Sequence, residues 1–199
     1  EAGGEAVSFR ADLTKAEEAK ALIDFAVQQY GHLDILVNNA GISQIKLFTD
    51  IIPEEWRQMF AANVDGIYHC CRAAVPYLVQ QHSGTIINVS SIWGLCGASC
   101  EVHYSASKAA VNAYTMALAN EVRPFGITVC AVQPGDIATG FTTAREKSPA
   151  GDAAYGGRIG RSVDRMEHDE TTGMSPAAAG AFISRVALKR SRHPLYTIG

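Results

Sequence analysis

Short apolar runs alternate with segments of helical apolar spacing from one end of the chain to the other. The runs predict five strands, over residues 6–11, 33–37, 84–90, 127–132 and 195–198. The other segments predict helices between Thr14 and Gly31 and over residues 53–81, 104–122 and 176–188. Strands that alternate with helices form parallel sheets covered on both sides. The pattern therefore predicts an α/β fold, a doubly wound parallel sheet with helices on both faces.

Individual residues indicate where these helices begin, bend or end. Thr14 has Glu17 three residues later, the pattern of a capping box, and Gly31 is a typical helix stop. Pro53 suits the first turn of the second helix. Pro76 lies inside that helix and is expected to kink or divide it, because proline lacks the backbone N–H that the helix needs.

One long segment departs from the alternation of strands and helices. Residues 139–173 are polar, mixed and less regular than the rest. Excursions of this size that follow a sheet strand are more often binding loops or lids than plain surface insertions. We therefore expect these residues, called the lid below, to cover a substrate site.

Composition narrows the class of protein. The chain has 199 residues, of which 47% are hydrophobic and 19% charged, so a single globular domain is expected and a disordered chain is excluded. The net charge of -3 gives no indication of nucleic-acid binding. No run of 18 or more apolar residues appears, so no membrane span is expected.

The cysteines suggest a reducing compartment. Their number is odd, at five, and Cys70 and Cys71 are adjacent, so we expect reduced thiols and a cytoplasmic protein. Cys96, Cys100 and His103 lie close together in sequence, but no second pair of ligands at zinc-like spacing accompanies them. We therefore predict no metal site.

Small, polar or glycine residues follow four of the predicted strands. These segments are residues 12–13, 38–41, 90–91 and 134–137. Parallel α/β sheets bind ligands beyond the carboxyl ends of their strands, where such residues allow a flat ligand to lie close to the backbone. The sequence thus predicts one site built from these strand ends.

Tyr104 and Lys108 are candidates for acid/base chemistry. Their spacing places both side chains on one face of a predicted helix, one turn apart. A phenol has a reference pKa near 10, and a neighbouring ammonium group favours the phenolate and lowers that pKa. With Ser91 in reach of a substrate oxygen, the pair predicts a tuned general acid/base.

The motifs together resemble the short-chain dehydrogenase/reductase family. They are N-N-A-G at residues 38–41, Asn63, I-N-V-S-S at 87–91, Y-S-A-S-K at 104–108 and P-G at 134–135. Ser91 precedes Tyr104 by 13 residues, a spacing common in that family, and the resemblance extends from about residue 6 to residue 198. It implies a Rossmann-type fold.

Four catalytic roles follow from the resemblance. Tyr104 would be the general acid/base that exchanges a proton with the alcohol or carbonyl oxygen. Lys108 would lower the pKa of Tyr104 and hold the nicotinamide ribose. Ser91 would orient and polarise the substrate carbonyl, and Asn63 would hold a water that links Lys108 to solvent.

The resemblance also implies NADP(H) or NAD(H) as cofactor. Asp12 and Leu13 match the pair that contacts adenine in the family. The residues that match the rest of the cofactor site, besides Tyr104 and Lys108, are Asn39, Ala40, Gly41, Pro134, Gly135, Ile137 and Thr139. In such a site the cofactor supplies the hydride, and the protein positions and polarises the reactants.

One family feature is missing. No glycine-rich pyrophosphate turn precedes Asp12, and the glycines of residues 156–160 do not fit its pattern. We therefore expect residues 1–199 to be a single but incomplete NAD(P)-binding domain that lacks about 50 upstream residues, roughly a βαβα stretch. The choice between NAD and NADP is hidden with them.

Family membership leaves the substrate open. The 91–108 segment resembles 3-oxoacyl carrier-protein reductases, whereas the extended lid resembles reductases of steroids, retinoids or long-chain ketones. The wall expected around the reacting oxygen suits a medium-sized apolar carbonyl compound or alcohol; it comprises Trp93, Leu95, Cys96, Ala98, His103, Phe141, Tyr155, Ile159, Val163 and Met166.

The basic residues of the lid allow two interpretations. They are Arg145, Lys147, Arg158, Arg161 and Arg165. They either hold an anionic substrate tail or, as we prefer, are solvated charges interspersed with acidic residues.

Two further expectations concern the protein as a whole. A catalytically silent Rossmann protein, acting as a cofactor sensor or scaffold, is the alternative to an enzyme, and retention of the four catalytic residues argues against it. The family resemblance implies a homodimer or homotetramer formed through the helices at 53–81 and 104–122. Small alanines on the second of these helices would allow close contact there.

Overall fold

The computed structural model describes residues 3–147, 152–189 and 193–199. Its main sheet has four parallel strands in the order β1 (Ile35–Asn38), β3 (Gly84–Val89), β4 (Ile127–Pro134) and β6 (Leu195–Ile198). A second sheet pairs two short parallel strands, β2 (Gln44–Ile45) and β5 (Glu146–Lys147). The second pairing joins the lid to the body of the protein.

Helices follow the strands in the predicted alternation. They are α1 (Ala16–Tyr30), α2 (Pro53–Phe60), α3 (Gly66–Gln81), α4 (Trp93–Cys96), α5 (Val102–Val122), α6 (Phe141–Ala144), α7 (Arg158–Thr172) and α8 (Pro176–Leu188). Short 3₁₀ turns span Phe48–Asp50, Arg123–Phe125 and Asp152–Tyr155. None of the helices in the described residues combines the length and apolar character needed to cross a bilayer.

The sheet has an apolar core on each face. Ile86 of β3 packs with residues of α3 and α5, whereas its neighbour Ile87 packs with Val186 of α8. Successive strand residues point to opposite faces, so the continuous apolar run of β3 supplies both cores. The predicted doubly wound α/β fold is confirmed.

The long helix predicted over residues 53–81 is interrupted, but not at Pro76. A π-helical turn at Ala61–Asp65 separates α2 from α3, and α3 continues through Pro76. Ala74 and Leu78 are fully buried on either side of the proline, so core packing holds the helix there. Pro76 was expected to kink or divide the helix, and it does not divide it; the break at the π turn places Asn63 inside the fold instead.

Two predictions near the start of the chain are also wrong. Residues 6–11 form no strand; Val7 and Phe9 are exposed, and no strand in the described part of the chain lies beside them to complete the hydrogen bonds. Thr14 does not cap α1, because its hydroxyl donates to Asp12 Oδ1 at 2.7 Å and the helix begins after Lys15. The stop at Gly31 is confirmed, with a left-handed φ of 79°.

The lid is more regular than its polar sequence suggested. It contains α6, β5 and the 15-residue α7, while residues 148–151 of the predicted lid lie outside the described residues. Ile159, Val163 and Met166 recur at helical spacing in α7, although Glu170 is the residue of this helix that the fold buries. The apolar spacing was therefore an available signal for this helix.

Candidate active site

A cavity of about 520 Å³ opens at the carboxyl ends of β1, β3 and β4, beneath the lid. Because these strands are parallel and adjacent, the segments that follow them meet at one edge of the sheet. The sequence-predicted residues that line the cavity are Asn39, Ala40, Gly41, Ser91, Tyr104, Lys108, Pro134, Gly135, Ile137 and Thr139. The structure thus brings together ten residues that were assigned from four separate segments.

Tyr104 and Lys108 lie one turn apart on α5, both almost completely buried. The Lys108 ammonium donates a hydrogen bond to the carbonyl of Val89 at 2.9 Å and lies 5.6 Å from the centroid of the Tyr104 ring. Ser91 follows β3 and forms a hydrogen bond with the Tyr104 hydroxyl. Its Oγ also accepts from the backbone N–H of Trp93 at 3.1 Å, which fixes the serine at the strand end.

The electrostatics of Tyr104 differ from the sequence-based expectation. Burial raises the pKa of Tyr104, the nearby carboxylate of Glu101 raises it further, and the hydrogen bond with Ser91 acts in the opposite direction. Burial also lowers the pKa of Lys108 to about 8. In this structure burial outweighs Lys108 in setting the pKa of Tyr104, because removal from water disfavours the phenolate.

Asn63 lies in the π turn, fully buried and outside the cavity lining. Its Oδ1 accepts from the backbone N–H of Ile42 at 2.8 Å. Its Nδ2 lies within hydrogen-bond reach of the Ile42 carbonyl, the Met59 sulfur and the Ser107 hydroxyl. The side chain is thus engaged in joining the loop after β1 to α5 beside Lys108.

Asp12 and Leu13 are the predicted cofactor residues that the structure leaves outside the cavity lining. The Asp12 carboxylate accepts from the backbone N–H and hydroxyl of Thr14. Leu13 packs against Gly66, where an added Cβ would lie 3.3 Å from the Leu13 Cβ. The adenine contact inferred for them stays a prediction.

The cavity fits the nicotinamide-ribose end of a dinucleotide. A Cβ added to Gly41 would lie 3.0 Å from Asn63 Oδ1 and 3.6 Å from Lys108 Nζ, so glycine allows the backbone to approach these groups closely. Lys108 has three N–H donors and uses one on Val89, which leaves two for ribose hydroxyls. Within the described residues, no cluster of three or more histidine, cysteine or acidic side chains could hold a metal ion.

A buried charge network, which the sequence did not reveal, forms the lid side of the cavity. Arg145 donates two hydrogen bonds to Glu170, at 2.8 and 3.0 Å, and its guanidinium lies 3.4 Å from Glu101. Thr142 donates to Glu170, and Ser43 donates to Glu101. Charge alternation in the lid was the only available signal, because the partners lie 25 and 44 residues from Arg145.

Arg145 therefore corrects our preferred interpretation of the lid charges. Its side chain is only 1% exposed, so it is a buried ion-pair residue and not a solvated charge. Lys147 pairs with Glu167 and Arg165 with Asp169. Arg158 and Arg161 are exposed, as expected.

A second cavity, of about 290 Å³, adjoins the first and shares Trp93 and Asp136 with it. It lies between residues 97–100 and α7, and Ala98, Val163 and Met166 contribute to its wall. Of the other wall residues predicted from the sequence, Phe141 lines the first cavity.

Five predicted wall residues line neither cavity: Leu95, Cys96, His103, Tyr155 and Ile159. Leu95 and Tyr155 are more than half exposed. His103 is buried, with its Nε2 3.0 Å from Gln44 Oε1, and lines neither cavity.

Comparison with known proteins agrees with this geometry. The profile of the short chain dehydrogenase family matches residues 1–150. The chain is 36% identical over 185 residues to 3-ketodihydrosphingosine reductase from Bacteroides thetaiotaomicron, covering 90% of this chain and 68% of that protein. It is 39% identical over 142 residues to the 3-oxoacyl-[acyl-carrier-protein] reductase FabG of Staphylococcus aureus, covering 71% of this chain and 58% of that protein.

Solved structures show the same similarity. A short-chain dehydrogenase from Streptomyces avermitilis superimposes with a TM-score of 0.82 at 30% identity, covering 98% of this chain and 70% of that one. The structure of ElxO with NADP bound gives a TM-score of 0.77 at 27% identity, covering 96% and 75%. The profile match and these similarities show that the chain belongs to the short-chain dehydrogenase family, the NAD(P)-dependent oxidoreductases that its motifs predicted.

Proposed function

We propose that the protein transfers a hydride between NAD(P)(H) and a carbonyl compound or secondary alcohol, with Tyr104 as the general acid/base. The observation that carries this proposal is the convergence of Ser91, Tyr104 and Lys108 on one cavity. Lys108 and the backbone of residues 39–41 and 134–139 would hold the cofactor, which would supply the hydride when bound.

The protein's own residues donate the proton and stabilise the charge that develops during the reaction. Ser91 holds the carbonyl oxygen of the substrate through its hydroxyl and polarises it. Tyr104 then donates its phenolic proton to that oxygen as the alcohol forms, and the Lys108 ammonium stabilises the phenolate left behind. Asn63 acts as a positioning residue, because it binds the backbone of Ile42 in the loop after β1 and the side chain of Ser107, the residue before Lys108. The water that would link Lys108 to solvent belongs to the same proposal.

The two cavities support a ketone with an extended apolar portion. The reacting carbonyl lies at Ser91 and Tyr104, and the remainder passes Trp93 into the second cavity beside Val163 and Met166. The names of the relatives supply two candidates, a 3-oxoacyl thioester and 3-ketodihydrosphingosine. The match to the latter's reductase extends over 90% of this chain, which favours a long-chain ketone.

Purified protein should be assayed with NADPH and NADH against a panel of long-chain ketones and 3-oxoacyl thioesters. Quenching of the fluorescence of Trp56 and Trp93 on cofactor addition provides a readout of binding that does not need turnover. Cofactor-dependent reduction is expected for long-chain ketones. Binding of cofactor without reduction of any carbonyl compound would favour the silent sensor or scaffold instead.

An assembly through α3 and α5 belongs to the same proposal. Ala109, Ala113 and Ala117 recur every four residues on α5 and are exposed, and Tyr68 on α3 is 43% exposed. Such a stripe allows close helix contact in a homodimer or homotetramer. Light scattering after size exclusion would measure the mass, and a monomer at micromolar concentration would contradict the assembly.

A further inference from the structure

The carboxylate of Glu101 belongs to the wall of the first cavity, although its side chain is only 1% exposed. Its Oε1 accepts a hydrogen bond from the Ser43 hydroxyl at 2.5 Å, and the Arg145 guanidinium lies 3.4 Å from the same oxygen. Its Oε2 has no hydrogen-bond partner within the described residues. Buried polar atoms nearly always have a partner, so this oxygen points to a role in the cavity that it lines.

Ser43 opens onto a different space. It lines a third cavity, of about 260 Å³, whose wall also includes the exposed residues Gln58 and Glu146. The residues that the first and third cavities share are Gly41, Phe141, Ala144 and Arg145. Ser43 does not line the first cavity, and Glu101 does not line the third. The hydrogen bond between these two side chains therefore links the two cavities.

Tyr104 lies at the other end of this link. Glu101 directly precedes α5, and Tyr104 is in the first turn of that helix, so both side chains line the first cavity. The carboxylate is close enough to Tyr104 to raise its pKa, and Lys108 is the cation beside the phenol ring. Because Tyr104 is buried, a phenolate formed during turnover needs a path by which a solvent proton returns to it.

The surroundings of Glu101 suit a group that gains and loses a proton. Burial raises the pKa of Glu101 above its ordinary value of 4.5, and the carboxylate of Glu170 raises it further. The hydrogen bond from Ser43 and the charge of Arg145 act in the opposite direction. The carboxylate is thus stabilised on Oε1, whereas a proton on Oε2 would be available to the cavity.

We propose that Ser43 and Glu101 form a second proton route, which returns a solvent proton from the third cavity to Tyr104. The proposal rests on the proposed function, because it assumes that Tyr104 gives its proton to the substrate oxygen. The Glu101 carboxyl group then passes its proton through one water of the first cavity to the phenolate, which restores the phenol. The Glu101 carboxylate takes the proton of the Ser43 hydroxyl while the Ser43 oxygen takes one from solvent. One solvent proton replaces the one that the substrate gained.

Two variants interrupt the route at different points. Glu101→Gln retains the shape and removes the proton carrier, whereas Ser43→Ala leaves the carboxylate in place and removes its link to the third cavity. We expect each to lower kcat for reduction of 3-decanone by about tenfold and to raise the solvent deuterium isotope effect on kcat, since proton delivery becomes slower. Loss of the Glu101 charge alone would make Tyr104 a stronger acid and would not slow it. Unchanged kcat and isotope effect in both variants would overturn the proposal.

A double variant tests whether the two residues act in one route. Ser43→Ala combined with Glu101→Gln should lower kcat no further than Glu101→Gln alone, because the second change interrupts a route already broken. Glu146→Gln is the control, since Glu146 is an exposed carboxylate of the third cavity that contacts Gln44 and not Glu101. It should leave the isotope effect unchanged. Losses that multiply in the double variant would show separate roles and contradict the proposal.

Infrared spectroscopy tests the proton carrier without turnover. The C=O stretch of the protonated Glu101 carboxyl group is identified by its loss in Glu101→Gln. It should titrate with a midpoint above 4.5 and should shift in D₂O, because the proton exchanges with solvent. If no ketone is reduced, the proposed function fails, and this titration still decides whether Glu101 carries a solvent proton. A midpoint at or below 4.5, or no shift in D₂O, would overturn the proposal even in an active enzyme.

Discussion

Lys108 and Tyr104 lie one turn apart on α5, with the ammonium nitrogen 5.6 Å from the centroid of the phenol ring. The ammonium group is buried and donates to a single backbone carbonyl, that of Val89. Burial of a cation with so few partners lowers the stability of the folded protein. Such destabilising charges are found most often at functional sites.

Replacement of Lys108 by Met should stabilise the protein while abolishing activity. The pKa of Lys108 is lowered from 10.5 to about 8, so the charged form costs about 3 kcal/mol at neutral pH. Loss of the hydrogen bond to Val89 offsets about 1 kcal/mol of that gain. We expect Lys108→Met to raise the free energy of unfolding by about 2 kcal/mol at pH 7, as measured by urea denaturation.

The gain from Lys108→Met should shrink above pH 8. Between pH 8 and 10.5 the unfolded state of the wild type keeps the lysine proton that the folded state releases, so wild-type stability rises with pH. The exposed Lys15 provides a control, since Lys15→Met should change stability little at either pH. A Lys108→Met variant less stable than the wild type at pH 7 would contradict the burial argument.

Arg145→Met should loosen the lid. The change leaves Glu170 and Glu101 buried without their cation, a loss of about 3 to 5 kcal/mol for a buried pair. Faster amide exchange in α7 and a higher KM should accompany the loss. Arg161→Met replaces an exposed arginine of the same helix that lines neither cavity, so it should change neither the exchange rate nor KM. Unchanged exchange in α7 of Arg145→Met would show that the network does not hold the lid.

Gly173, the last residue of the lid, and Gly180 of α8 should respond to alanine in opposite directions. At Gly173 an added Cβ would lie 2.3 Å from the carbonyl oxygen of Asp136, so Gly173→Ala should cost about 1 to 3 kcal/mol. At Gly180, inside α8, an added Cβ meets no atom within 4 Å, so Gly180→Ala should stabilise the helix by up to about 1 kcal/mol. Thermal melting of both variants measures the contrast, and equal effects would refute the close approach at Gly173.

The sequence predicted which residues line the cavity better than it predicted where the first strand lies and where the second helix is interrupted. Tyr104 and Lys108 follow from helical spacing, and Ser91 and Gly135 from strand ends, so local rules suffice to bring them together. Arg145 and Glu101 could not be found that way, because their pairing depends on how the lid folds back over the body.

The errors in the predicted fold also arise from contacts between residues that are distant in sequence. Residues 6–11 alternate like a strand, but a strand exists only beside a partner, which the alternation does not specify. The π turn at Ala61–Asp65 depends on buried hydrogen bonds of Asn63 to Ile42, 21 residues away. The effect of Pro76 was predicted from the intrinsic helix propensity of proline alone. The packing of its buried neighbours outweighs that propensity, so the helix continues through it.

The most direct test of the account is Tyr104→Phe, with Tyr114→Phe as the matched control on the same helix. Tyr114 is also largely buried, but its hydroxyl contacts Cys71 and lies outside the cavity. We predict that Tyr104→Phe reduces kcat for ketone reduction by about 10²-fold or more while cofactor still quenches the tryptophan fluorescence, and that Tyr114→Phe remains active. Retention of wild-type kcat by Tyr104→Phe would contradict the assignment of Tyr104 as the general acid/base.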